Sequence, residues 1–140
     1  MQDTNDIIAF SRELTWDDLP LKVRDHTKLC LLDLIGVAAG GAKTKLSNIA
    51  CGYAALDMSG TIPMIFDGRK ASVAGVAMAG GMTIDSLDGH DGFNPAKGHA
   101  GCGLFPALYA VAHDLLLWQT LCKLLGRDDL AQEHKGTELP

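Results

Sequence analysis

The stretch RKASVAGVAMAGGMTIDSL, residues 69–87, constrains the fold more than any other part of the chain. Wound at 3.6 residues per turn, Ala71, Val73, Ala74, Val76, Ala77, Met78, Ala79, Met82 and Ile84 leave almost no wet face. A helix that is apolar all round has to be surrounded, so the rest of the chain must supply neighbours on several sides. Gly75, Gly80 and Gly81 interrupt this helix. Each lowers intrinsic helicity by roughly 1 kcal/mol relative to alanine. That loss is tolerated where another element presses against the bare backbone, and packing is the role expected of all three. The spacing therefore predicts a central helix over 69–87.

The other segments read as its neighbours. Ile7, Ile8, Phe10, Ser11 and Leu14 suit a short helix with one apolar side, and a turn follows around residues 15–18. A long second helix starts with Pro20 in its first turn and Asp17 or Asp18 near its positive end, and Gly40-Gly41 stops it. Its apolar positions, Val23, Thr27, Cys30, Leu34 and Val37, are widened by Leu31, Ile35 and Ala38, a stripe broad enough to predict burial on several sides. Asp33 is the one charge in its apolar half and must reach solvent or a partner. A third helix is predicted over 45–57 despite Gly52. Residues 61–66 favour an extended edge segment containing Pro63, and Asp67-Gly68 a tight turn. Helical spacing resumes near Gly101, with Pro106 expected in the first turn. A further apolar block runs to Leu125, where Gly126 is a stop, and a polar tail follows. The fold class expected is all-α: a helical bundle-like partial domain with long buried helices and a short extended connector near 61–66.

Composition narrows the function classes. With 17 acidic against 12 basic residues and a formal charge of −5, a general nucleic-acid or membrane-surface role is disfavoured. Apolar runs reach about 14 residues, short of the roughly 18–20 that cross a bilayer. The N-terminus carries Asp3 and Asp6 where a signal peptide would be basic, so a cytoplasmic location is expected. Cys30, Cys51, Cys102 and Cys122 form no CxxC pair and read as structural thiols.

Between the central helix and the next lies DSLDGHDGFNPAKGH, residues 85–99, with three aspartates and two histidines in one short polar connection. Asp85 and Asp88 are three apart, so carried on one helical face their carboxylates would interact and favour one protonated member. His90 and His99 bring imidazoles, the side chain type best suited to take or return a proton near neutral pH. Of the two, His99 is the stronger candidate, because it stands directly before AGCG and the next helix, where backbone N–H groups can hold a carboxylate. The same atoms could ligate a divalent ion, although no HExxH, EF-hand or paired-cysteine pattern selects that reading. A plain helix-connecting turn is equally compatible with Asp, Gly, Asn and Pro. GxSxG, GxGxxG and GxxxxGK[ST] sites are missing, and the three-residue spacing from His99 to Cys102 does not establish a thiol nucleophile. From residue chemistry alone, turn, metal loop and reaction site all stay open.

Three blocks occur in order, DDLPLKVRDHTKLCLLDLIGVAAGG, ASVAGVAMAGGMTIDSLDGHDGF and GHAGCGLFPALYAVA, and span most of residues 7–112. Together they resemble the 2-methylcitrate dehydratase family, usually called MmgE/PrpD, whose relatives include cis-aconitate decarboxylase and iminodisuccinate epimerase. The resemblance implies a lyase acting on a small di- or tricarboxylate, independent of iron-sulfur clusters and needing no metal or organic cofactor. It implies catalytic roles for His99, Asp85 and Asp88 and secondary substrate-binding roles for His90, Asp91 and Lys97. Leu87 stands where the family often has a third acidic residue, and Gly89 where it often has a small or hydroxyl residue.

Members of that family are several times longer and add an α+β domain and further active-site residues. The resemblance therefore implies a truncated chain, with 1–114 as the N-terminal part of an MmgE/PrpD-like helical domain and 115–140 as a divergent helical cap and mobile tail. Little or no catalysis by the isolated chain is expected, whether the reaction is dehydration, decarboxylation or epimerisation. A homodimer, packing against a missing remainder, or a non-catalytic helical interaction module are the expected alternatives.

Overall fold

The computed structural model describes residues 4–89, 92, 95, 98–124 and 126. Six helices and one two-stranded ribbon make up the described chain: α1 Thr4–Glu13, α2 Leu21–Gly41, α3 Lys45–Asp57, β1 Ile62–Pro63, β2 Lys70–Ala71, α4 Val73–Asp85, α5 Ala100–His113 and α6 Leu115–Leu124. A single 3-10 turn, Trp16–Asp18, joins α1 to α2. The all-α, bundle-like class holds, with the ribbon as its one extended part. No single helix among the described residues is long and apolar enough to cross a membrane.

α4 is the centre, packed by α2, α3, α5 and both strands. Gly75, Val76, Ala79, Gly80, Thr83 and Ile84 are all buried along it. Its start differs from the expectation. Lys70 and Ala71 pair with Pro63 and Ile62 in an antiparallel ribbon, so the helix begins at Val73 rather than at 69. The reason is local capping: Ser72 accepts a hydrogen bond from the Gly75 N–H at 3.2 Å, and its own N–H donates to the Met58 carbonyl at 2.7 Å. Ile62, Met64 and Ala71 from the ribbon and Cys51 and Ala54 from α3 join Val76 and Ala79 in the main core.

The three glycines of α4 do pack. A Cβ on Gly75 would meet Met58 and Ala71, one on Gly80 would lie 2.6 Å from the Pro106 Cβ, and one on Gly81 would lie 3.1 Å from the Cys102 carbonyl. Pro106 itself is a correction to the sequence reading. It sits at the seventh position of α5, not in the first turn. An interior proline cannot donate to the carbonyl four residues earlier. That carbonyl belongs to Cys102, and it faces the bare Gly81 backbone, while the buried proline ring fills the notch at Gly80.

α2 is also less enclosed than its stripe suggests. Leu34, Ala38 and Gly41 are buried, whereas Leu21, Val23, Leu29, Leu31, Leu32 and Ile35 are exposed, because α4 and α5 cover only one side of the helix. Asp33 finds solvent. The aspartates before α2 act elsewhere than on its first amides: Asp18 accepts from the Thr15 N–H and hydroxyl at 2.9 and 2.6 Å, and Asp17 pairs with Arg24 at 2.9 Å.

The turn of the ribbon is locked to α3. Arg69 donates from Nε and Nη2 to both carboxylate oxygens of Asp67, and from Nη2 to Asn48 Oδ1 at 3.3 Å. The guanidinium holds the Asp67 carboxyl below its ordinary value of 3.8. A carboxylate depressed in the folded state contributes stability above its unfolded pKa and loses it as the pH falls through the folded value. Asp67→Asn is therefore expected to cost about 1 kcal/mol at pH 7, the solvent-discounted worth of a half-exposed forked pair. The difference should be full at pH 7 and shrink at an acid pH as the carboxyl is protonated through its depressed folded-state value, read from urea midpoints of the two proteins at the two pH values. Equal losses at both pH values would separate Asp67 from this ion pair.

Candidate functional site

The acidic connection leaves α4 through a tight turn. Ser86 ends the helix, its N–H donating to the Met82 carbonyl at 3.0 Å and its hydroxyl to the Thr83 carbonyl at 2.7 Å. The Asp88 N–H then donates to the Asp85 carbonyl at 3.0 Å. Asp88 has φ +46°, in the left-handed region that aspartate tolerates better than most residues. Asp85 and Asp88 thus follow one another within a turn at the C-terminal end of a helix. A helix dipole disfavours negative charge there by roughly 0.3–1 kcal/mol.

His99 occupies the position just before α5, with φ −117° and ψ +96°, and its side chain does not cap that helix. Its Nδ1 lies 3.7 Å from Asp88 Oδ1. The histidine side chain is 34% exposed and the aspartate 84%, so the pair is open to solvent on the aspartate side. At 3.7 Å the contact is an ion pair when the imidazole is protonated, and longer than a hydrogen bond. The His99 carbonyl accepts from Cys102 Sγ at 3.2 Å, which ties the thiol to the first turn of α5.

Of the site residues expected from sequence, the structure brings Asp88 and His99 together across the α4–α5 connection and places Asp85 one turn earlier on the same strand of chain. His90, Asp91 and Lys97 lie outside the described residues. No group of three or more His, Cys, Asp or Glu arranged to hold a metal ion occurs among the described residues.

Two supports of this turn carry no signal in the acidic stretch itself. Thr83, buried one turn before it, shares a 2.7 Å hydrogen bond with the buried Ser47 of α3, and the Cys51 thiol lies 3.9 Å from the Ser47 hydroxyl. Burial pushes the Cys51 thiol above its ordinary value, which keeps it protonated and unreactive at neutral pH. The other support is the end of α2: a Cβ on Gly41 would collide with the Thr83 carbonyl, and one on Gly40 would come within 3.1 Å of Leu87 Cδ1. A polar residue on an otherwise apolar helix, as Thr83 is, was the one available clue to the first. Gly40-Gly41 reads from sequence only as a helix stop.

The helical domain sets an aspartate-bearing helix end against a histidine that opens the next helix. The chain belongs to the MmgE/PrpD family: residues 5–126 match the MmgE/PrpD N-terminal domain. That match takes in α1 through α6, the acidic turn and His99. Comparison with curated proteins and with solved structures gives no significant match.

Proposed function

We propose that this chain carries the acid–base segment of a lyase acting on a small polycarboxylate, with 2-methylcitrate as the nearest substrate type. The approach of Asp88 Oδ1 to His99 Nδ1 across the α4–α5 connection carries the reading. In a citrate-like substrate the carboxylates acidify the adjacent C–H. Dehydration removes that proton, forms a carbon–carbon double bond and expels the hydroxyl as water with a proton from an acid. His99 takes or returns the proton, and the Asp88 carboxylate 3.7 Å from Nδ1 stabilises the imidazolium formed when it takes one. Asp85 is the second carboxyl available as acid. The first-turn N–H groups of α5 supply donors for a substrate carboxylate. Decarboxylation, in which a carbanion left by carbon dioxide is protonated, and epimerisation, in which one carbon loses and regains a proton, draw on the same two groups.

Charge sets the expected level of activity. Residues 85–99 hold three aspartates and one lysine, so a substrate with two or three negative charges meets net repulsion there. The chain alone is expected to give at most trace turnover of 2-methylcitrate, citrate, cis-aconitate or iminodisuccinate in a product-resolved assay. Binding should still register as shifts of the Asp88 and His99 NMR resonances at roughly 10 mM 2-methylcitrate, above a millimolar Kd. His99→Ala should abolish the Asp88 shift. Measurable turnover that is equal in parent and variant would remove His99 from this role, and no shift at either residue would remove the reading.

A second reading, a helical interaction module, is favoured by one observation: Leu21, Leu29 and Leu32 of α2 and Ile49, Tyr53 and Leu56 of α3 are all exposed. Sedimentation of the same preparation separates the two. Self-association without ligand-induced shifts favours the module.

A further inference from the structure

The distance between Asp88 and His99 is a difference between two placements, and each placement is made on a bare glycine backbone. The start of α5, which carries His99, is set on α4 by Pro106 against Gly80 and by the Cys102 carbonyl against Gly81. The end of α4, which carries Asp85 and Asp88, is set on the last turn of α2. There Gly41 lies so close to the Thr83 carbonyl that no side chain fits, with Ser86 Oγ 3.0 Å from the position a Cβ would take. The same Thr83 carbonyl accepts the Ser86 hydroxyl at 2.7 Å, so this oxygen is shared between the helix cap and the α2 contact. On the opposite side Ser47 holds the Thr83 hydroxyl at 2.7 Å. Buried Ile84 packs with Leu34 and Ala38 of α2, so the turn before the acidic pair is fixed from both α2 and α3.

We propose that Gly41, with Gly40 beside it, is a positioning residue for the acid–base pair: the bare end of α2 sets where the acidic turn stands relative to His99. This rests on the acid–base reading of Asp88 and His99 given above. A Cβ at position 41 cannot be absorbed by a rotamer change, because its obstacle is a backbone carbonyl. The Gly41 backbone and the Thr83 carbonyl have to part, and the share of that displacement taken up by residues 83–88 moves them relative to α5, whose own anchors at Gly80 and Gly81 lie one to two turns back. Misplacement of about 1 Å in such a pair is enough to cost a site much of its function.

The test compares Gly41→Ala with Gly36→Ala, a substitution in the same helix where a Cβ meets nothing within 4 Å. Backbone and imidazole NMR resonances of Asp85, Asp88 and His99 are followed with and without 2-methylcitrate. Gly41→Ala is expected to shift all three in the free protein and to weaken 2-methylcitrate binding roughly tenfold, while Gly36→Ala leaves both unchanged.

A folded Gly41→Ala protein with parental resonances at Asp85, Asp88 and His99 overturns the proposal. Should Gly41→Ala fail to fold, Gly40→Ala decides, since its Cβ would meet only the flexible Leu87 side chain at 3.1 Å. It should give a smaller shift at Asp88, restored toward the parent by adding Leu87→Ala. No shift in Gly40→Ala, or no restoration in the double variant, also overturns it. If the parent chain binds no 2-methylcitrate, the functional reading fails, and the free-protein resonances still decide whether Gly41 positions the turn.

Discussion

Gly80→Ala is expected to unfold at a temperature roughly 6–10 °C below the parent chain, a loss of ~2 kcal/mol. The direction is opposite to helix propensity, which alone would favour alanine by about 1 kcal/mol. The added Cβ would lie 2.6 Å from Pro106 Cβ and 3.1 Å from Pro106 Cγ. Carbon atoms pack at about 3.5–4.0 Å, so α4 and α5 must part by roughly 1 Å along a contact that includes buried Ala79 and Ala110. A pyrrolidine ring has no rotamer to escape into, unlike the side chains that usually relieve a crowded core. The control is Gly103→Ala in α5, where a Cβ meets nothing within 4 Å. It should keep the propensity gain and raise the midpoint. A neutral Gly80→Ala would mean that α4 and α5 do not meet at the proline.

Local chemistry made much of this fold legible. The third helix runs over Lys45–Asp57 as its spacing predicts, and α2 ends at Gly41, because caps and periodicity are written into a few adjacent residues. The ribbon was legible as an extended edge around Pro63, but its partner strand was not. Lys70 and Ala71 also fit the start of an apolar helix, and only Ser72 capping the Gly75 N–H separates the two readings. Pro106 was misplaced for a related reason: an interior proline is tolerated here by a notch at Gly80 that lies 26 residues away in the chain. Of the candidate site, the residue types at Asp85, Asp88 and His99 were readable. Their separation was not, since it depends on where α5 seats against Gly80 and Gly81 and where α4 seats against Gly41.

Ile84→Ala should be the most damaging simple truncation near the acidic turn, at about 3 kcal/mol. That is a large share of the roughly 5–15 kcal/mol that holds a typical domain together. Ile84 is fully buried and joins Leu34 and Ala38 of α2, with Val37, Ile65, Cys102 and Phe105 at the edge of the same cluster. The cost of such a cavity depends on how far its walls can close. Here closure is opposed on the adjacent residue, because Thr83 is held by the Ser47 hydroxyl on one side and abuts Gly41 on the other. Ile84→Val removes one methylene-sized group and should cost only about 1 kcal/mol, and Leu87→Ala, at an exposed position three residues on, less than about 0.5 kcal/mol. Urea midpoints at unchanged m-values provide the ranking. A loss below about 1 kcal/mol for Ile84→Ala would mean that the walls do close, and a wall that moves this easily could not hold Asp85 and Asp88 in a fixed relation to His99.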